Sequence, residues 1–190
     1  MEKAIKEIRL SEVRTSDKED EMIIEGYAIV YGKETDMGWY KEVIDRDALN
    51  EADISDVCMK YNHEDTFLIL ARTRNKSLEL INDEHGLKVR ATLIDTTSNQ
   101  DVYKSIKAGL LDKMSFAFTV REQKWDYETD VRTITKIDKL YDVSVVDVPA
   151  YDSTEIYARN KDNYEKDKKD YIKNKNERKR LELKVNLLSL

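Results

Sequence analysis

The chain has few of the residues that interrupt or cross-link a backbone: one proline, five glycines and one cysteine in 190 residues. A lone Cys58 excludes an internal disulfide framework and suits a reducing compartment. No apolar run approaches the roughly 20 residues of a membrane span. The opening "MEKAIKEIRL" carries charges where a signal peptide needs an apolar core. Neither sign of charge dominates, since 33 Lys and Arg stand against 39 Asp and Glu. That balance lacks the basic face of a dedicated nucleic-acid binder. Only two histidines are present, His63 and His85. The expectation is a soluble, intracellular-type protein with no nucleic-acid and no membrane partner. Its length allows one well-buried domain plus an appendage.

What is present falls into two regimes, residues 1–158 and 159–190. The first is a succession of short alternating segments, bounded by sparse turn residues. "MIIEGYAIVYG" (22–32) reads as a strand, and "YKEVIDRDALNEAD" (40–53) as a short helix capped by Asp45 or Asp47. "VCMKYNH" (57–63) alternates, with Val57, Met59, Tyr61 and His63 on one face and Cys58, Lys60 and Asn62 on the other. "FLILARTR" and "SLELINDEHGLKVRATLI" give three more strands, the last two joined through a turn at "NDEHG". A second helix with a Ser or Asn cap follows in "SNQDVYKSIKAGLLDKMSFAF". The long hairpin "MSFAFTVREQKWDYETDVRTITKI" turns near Tyr127 to Asp130, and "LYDVSVVDVPAY" is a strand stopped by Pro149. The fold class predicted is α+β, mainly β: a barrel of about seven antiparallel or mixed strands with two embedded helices. Residues 159–190 form a charged helical tail in which Tyr164 and Tyr171 lie one heptad apart.

Polar residues occur where strands should be apolar. Ser115 shares a strand face with Ala117 and Thr119, opposite Phe116, Phe118 and Val120. Asp142 shares one with Ser144 and Val146. One hairpin separates Ser115 from Asp142, and His63 would have to come from a third strand. Serine needs a base to become nucleophilic, imidazole can serve near neutral pH, and a carboxylate fixes its tautomer. The residues alone leave open both this constellation and a merely hydrogen-bonded strand end at His63.

Other candidates have plainer readings. His85 reads as an exposed turn residue. A metal set of His63, Glu64, Asp65 and His85 lacks both H-E-x-x-H spacing and a cysteine pair, so no metal and no cofactor are expected. Cys58 would face away from His63, as a buried apolar cysteine. Trp39, Trp125 and the tyrosines read as packing rather than as a platform for bases.

The blocks "GYAIVYG", "YKEVIDRDAL", "VCMKYNHE", "HGLKVRATL", "IKAGLLDKMSFAF" and "LYDVSVVDVPAY" resemble, in order and spacing, those of the tailed-phage prohead proteases. These are capsid-maturation serine endopeptidases similar in fold to the herpesvirus assembly proteases. The resemblance covers about residues 5–158. It implies His63 as general base and Ser115 as nucleophile. The acid before Val-Ser-Val falls on Asp142, where the family commonly has Glu. Asp147 is the competing acid, on the opposite face by parity. The family often has glycine where this chain has Asp47 and Ala71. Also implied are an oligomeric enzyme acting on scaffold, major coat protein and itself, and a location inside the immature capsid in the host cytoplasm. Oxyanion donors are sought in "AYDSTE" (150–155), and scaffold docking or cleavage sites in the tail. The alternative is a non-catalytic assembly or scaffold module on the same fold.

Overall fold

The computed structural model describes residues 6–15, 21–66, 68–147 and 154–188. Within these, the strands are β1 (Lys6–Thr15), β2 (Ile23–Val30), β3 (Thr35–Asp36), β4 (Lys41–Ile44), β5 (Cys58–Tyr61), β6 (Ala71–Arg72), β7 (Leu78–Asn82), β8 (Gly86–Thr92), β9 (Lys113–Asp126) and β10 (Val131–Val146). Helix α1 (Thr97–Lys107) lies between β8 and β9, and α2 (Thr154–Leu188) follows β10.

The strands pair in the order β3-β4-β10-β9-β1-β2-β8-β7, with β5 on β10 and β6 on β5. The fold is therefore α+β and mainly β, with both antiparallel and parallel pairing. Among the described residues no pairing joins β7 back to β3, so the ten strands follow an open order and the expected closure into a barrel of about seven is not seen there. Alternation in β9 and β10 builds the core. Met114, Phe116 and Phe118 project to the same side as Val143 and Val145, and all are buried. Phe116 and Phe118 stack with their centroids 5.0 Å apart. The segments expected as a hairpin arm and a separate strand merge into the one 16-residue β10. Register shifts interrupt it, one of them skipping Tyr141 between Leu140 and Asp142. Tyr141 is thereby left 37% exposed while Leu140 fills the core.

The helix expected over 40–53 does not form. Residues Lys41–Ile44 instead pair in parallel with the first half of β10. Beyond them, the Asp45 carboxylate accepts the Asp47 N–H and the Asp47 carboxylate accepts the Asn50 amide, which favours successive turns over a helix. Those turns bury Ala48 and Leu49 and bond the Ala48 carbonyl to the Ile137 N–H. α1 forms as expected, but its cap is Thr96, whose hydroxyl accepts the Asn99 N–H. Its apolar side buries Val102 and Ile106, and Gly109 leaves the helix at φ 74°. Pro149, expected to stop a strand, lies outside the described residues.

α2 rests on the tip of the β9–β10 hairpin. Tyr164 is buried, 4.7 Å from the ring centroids of both Trp39 and Trp125. Tyr171 packs on Tyr127 at 5.2 Å. Further along, Leu181, Leu183 and Val185 are exposed. No described helix is long and apolar enough to cross a membrane.

Candidate active site

The site is built on the second half of β10, which is flanked by β9 on one side and β5 on the other. In register, Ser115 of β9 stands opposite Ser144 of β10, which stands opposite Lys60 of β5. The next such row is Ala117, Asp142 and Cys58. Side chains in register share a face, and residues two apart along a strand do too. Ser115, Ala117, Asp142 and Ser144 thus lie on the face opposite Met114, Phe116, Val143 and Val145. All four are fully buried.

His63 reaches that face by a turn and not by strand alternation. β5 ends at Tyr61, and Asn62 and His63 take φ values of 50° and 58°. Two successive left-handed residues reverse the side-chain direction that the alternation from Met59 and Tyr61 predicts. The expected grouping of His63 with Val57, Met59 and Tyr61 is therefore corrected. Tolerance of this region is greatest in glycine, but asparagine and histidine adopt it more readily than most residues.

The result brings three remote segments together. His63 Nε2 lies 2.8 Å from Ser115 Oγ, and His63 Nδ1 lies 2.5 Å from Asp142 Oδ1. The His63 side chain keeps 11% of its surface exposed, whereas Asp142 has none. Lys60 Nζ approaches Asp142 Oδ2 at 3.9 Å and bonds Asp65 at 2.6 Å. Burial pulls the Lys60 ammonium pKa down, but the Asp65 hydrogen bond and the charge of Asp142 outweigh it and hold it above the ordinary value. An alcohol, an imidazole and a carboxylate in this line can pass a proton from the alcohol to the ring while the carboxylate stabilises the resulting cation.

The other candidates lie elsewhere. Asp147 accepts the Tyr61 hydroxyl at 3.2 Å, and burial followed by this bond raises the Tyr61 pKa. His85 is exposed and packs edge-on against Tyr27. Glu64 is exposed, and Asp65 is held by Lys60. Cys58 does not face away from His63: its register with Asp142 puts it on the same side of the sheet, half-buried. The earlier expectation failed because it extended β5 through His63. Among the described residues, no group of three His, Cys, Asp or Glu side chains could hold a metal. The stretch "AYDSTE" lies outside the described residues and side chains. Two contributors were missed. Ser144 touches both His63 and Asp142, and its place two residues from Asp142 on one strand face was a visible signal. Asn62 had none, because its role depends on a turn that alternation does not encode.

Comparison with known proteins bears on the family and the fold. Residues 9–169 match the family model described as caudovirus prohead serine protease. The chain is 36% identical over 84 residues to the prohead protease of Escherichia phage T5, a match covering 44% of this chain and 39% of that protein. The fold is similar to the bacteriophage T4 capsid assembly protease, gp21, with a TM-score of 0.50 and 13% identity. That likeness covers 74% of this chain and 98% of the other.

Proposed function

Because the chain belongs to the caudovirus prohead serine protease family, we propose that it is an endopeptidase acting through Ser115, His63 and Asp142. Its substrates are the scaffold and coat proteins of an immature phage capsid, and the chain itself. The observation carrying this reading is the unbroken hydrogen-bonded line from Ser115 Oγ through the His63 ring to Asp142 Oδ1.

Ser115 Oγ attacks the scissile carbonyl as its proton passes to His63 Nε2. Asp142 keeps the Nδ1–H tautomer in place and offsets the imidazolium charge. His63 then protonates the leaving amine, and water, activated by the same ring, hydrolyses the acyl-enzyme. Ser115 is the third residue of β9, with Leu10 of β1 paired on one side and Ser144 of β10 on the other. Backbone N–H groups of a doubly paired strand are committed to its ladders, so the oxyanion donors come from outside β9. Loss of one such donor typically costs about 10²–10³ in turnover. His63 is the one member of the line with exposed surface, which makes its side the approach for the substrate peptide.

The test is the mass of the purified chain after incubation, compared with its Ser115→Ala form. We expect wild-type chain to shorten and the variant to stay intact, with Cys58→Ser behaving as wild type. Identical fragments from wild type and Ser115→Ala would favour the non-catalytic assembly module instead.

A further inference from the structure

Ser144 lies in contact with the proposed line but has no part in the mechanism above. Its hydroxyl is fully buried, 3.0 Å from Asp142 Oδ1 and 3.2 Å from His63 Nδ1. A buried hydroxyl directs its proton to an acceptor. The ionised carboxylate can only accept, and Nδ1 must itself carry a proton if Nε2 is to receive one from Ser115. The Ser144 proton therefore goes to Asp142 Oδ1, the same oxygen that receives Nδ1–H. The Ser144 lone pairs are left facing that Nδ1–H as a second, longer acceptor.

Resting on the peptidase reading, we propose that Ser144 is a positioning residue that sets the orientation and basicity of the Asp142 carboxylate, and through it the charge state of His63. Three consequences follow from the triangle of Oδ1, Nδ1 and Oγ. A second donor on Oδ1 stops the carboxylate rotating away from the ring. It also draws electron density from Oδ1, which limits how strongly Asp142 favours the imidazolium. Finally, a hydroxyl already committed to a carboxylate is not a second nucleophile, although Ser144 stands directly opposite Ser115 across the β9–β10 ladder. Charged or titratable neighbours of Asp142 include Lys60, at 3.9 Å, and Cys58, its register neighbour on β5. Neither contributes a hydroxyl, so the effect of Ser144 is separable from theirs.

The experiment measures cleavage of added Ser115→Ala chain, as an inert substrate, by wild type and by Ser144→Ala, Ser144→Thr and Ser144→Val across pH. Threonine and valine match in shape and differ in the hydroxyl, so packing is controlled even where one replacement loosens the fold. A hydrogen bond to a charged group is worth enough that Ala and Val should cleave about ten-fold more slowly than Thr. Their acid limb should move to higher pH, because a carboxylate with one donor fewer stabilises the imidazolium more. Equal rates and equal acid limbs for Thr and Val would overturn the proposal. Absence of cleavage by wild type itself would instead remove the peptidase reading on which it rests.

Discussion

The side-chain carbonyl of Asn62 accepts the backbone N–H of Asp147 at 3.1 Å. Its own N–H donates to the Val145 carbonyl at 2.9 Å. Asn62 is thus fastened to β10, the strand that carries Asp142, and to the residue just beyond its end, and its φ of 50° starts the turn that delivers His63. Asn62→Ala removes the side-chain bond and puts an unsuited residue in the left-handed region, at a cost of about 1–2 kcal/mol. We expect a modest drop in melting temperature and a disproportionate loss of self-processing, ten-fold or more, as His63 loses its aim. Asn62→Gly keeps the backbone conformation without the bond and should fall between. Wild-type processing in Asn62→Ala would show that the turn is held without this fastening.

The contrast between His63 and its partners explains what could be read from the chain. Ser115 and Asp142 were legible because strand side chains alternate with period two, so a polar residue among Met114, Phe116, Val143 and Val145 announces a second face. His63 was legible only by resemblance, since two left-handed residues cancel the alternation that would have assigned its side. The 40–53 segment shows the opposite failure. Its apolar spacing suits a helix, but Asp45 and Asp47 bond the local backbone and amide, and pairing with β10 offers burial that an isolated turn of helix does not. The α2 contacts depend on the hairpin tip and had no local signature beyond the heptad spacing of Tyr164 and Tyr171.

Glu42 and Arg132 form an ion pair at 2.9 Å with side chains 2% and 7% exposed. Arg132 also donates to Gln123 and lies 6.0 Å from the Trp125 ring centroid. The pair ties β4 to β10 in parallel register. Breaking a buried pair from one side typically costs about 3–5 kcal/mol, whereas replacing both partners by apolar residues is often near neutral. Glu42→Ala should therefore lower the urea midpoint sharply, and Glu42→Leu with Arg132→Met should recover most of the loss. Equal midpoints for Glu42→Ala and wild type would mean that the pair contributes no net stability.

Gly86 opens β8 against the end of β2. A Cβ there would lie 1.9 Å from the Ile29 carbonyl oxygen, a backbone atom that cannot swing aside. Gly86→Ala should force the β2–β8 ladder apart and cost about 3 kcal/mol or more, within the range of severe core substitutions. Gly32 is the comparison, with open space around its Cα and a φ of +67°. Gly32→Ala should cost only the left-handed strain, about 1–2 kcal/mol. Thermal melts of the two variants test the order, and a Gly86→Ala protein as stable as Gly32→Ala would contradict it.

The helix α2 presents Tyr164, Lys168, Tyr171 and Lys175 at intervals of four, three and four residues, so they line one face. The first two bond Asp130 and the second two bond Glu128, both at the hairpin tip. The Lys168 bond, then that of Tyr164, holds the Asp130 pKa below the ordinary carboxylate range, and Lys175 followed by Tyr171 does the same for Glu128. Thr129 and nearby backbone N–H groups lower the neighbouring Asp126 as well. The depressed Asp130 and Glu128 carboxylates favour the docked helix fully above their ordinary pKa, about 4, and lose that contribution as pH falls through the still lower docked values. Burial, with the Asp130 bond second, raises the Tyr164 pKa to about 12. Its contribution is complete below the ordinary tyrosine pKa, about 10, and disappears as pH rises through the docked value. Docking should therefore hold across the neutral range and fail at both extremes. Emission from Trp39 and Trp125, which flank Tyr164, should shift to the red when the helix leaves. The double variant Asp130→Asn, Glu128→Gln should show that shift already at pH 7, while amide exchange in β9 and β10 stays slow. If its tryptophan emission instead matches wild type from pH 3 to 7, the ion pairs do not hold the helix and the aromatic stack alone does.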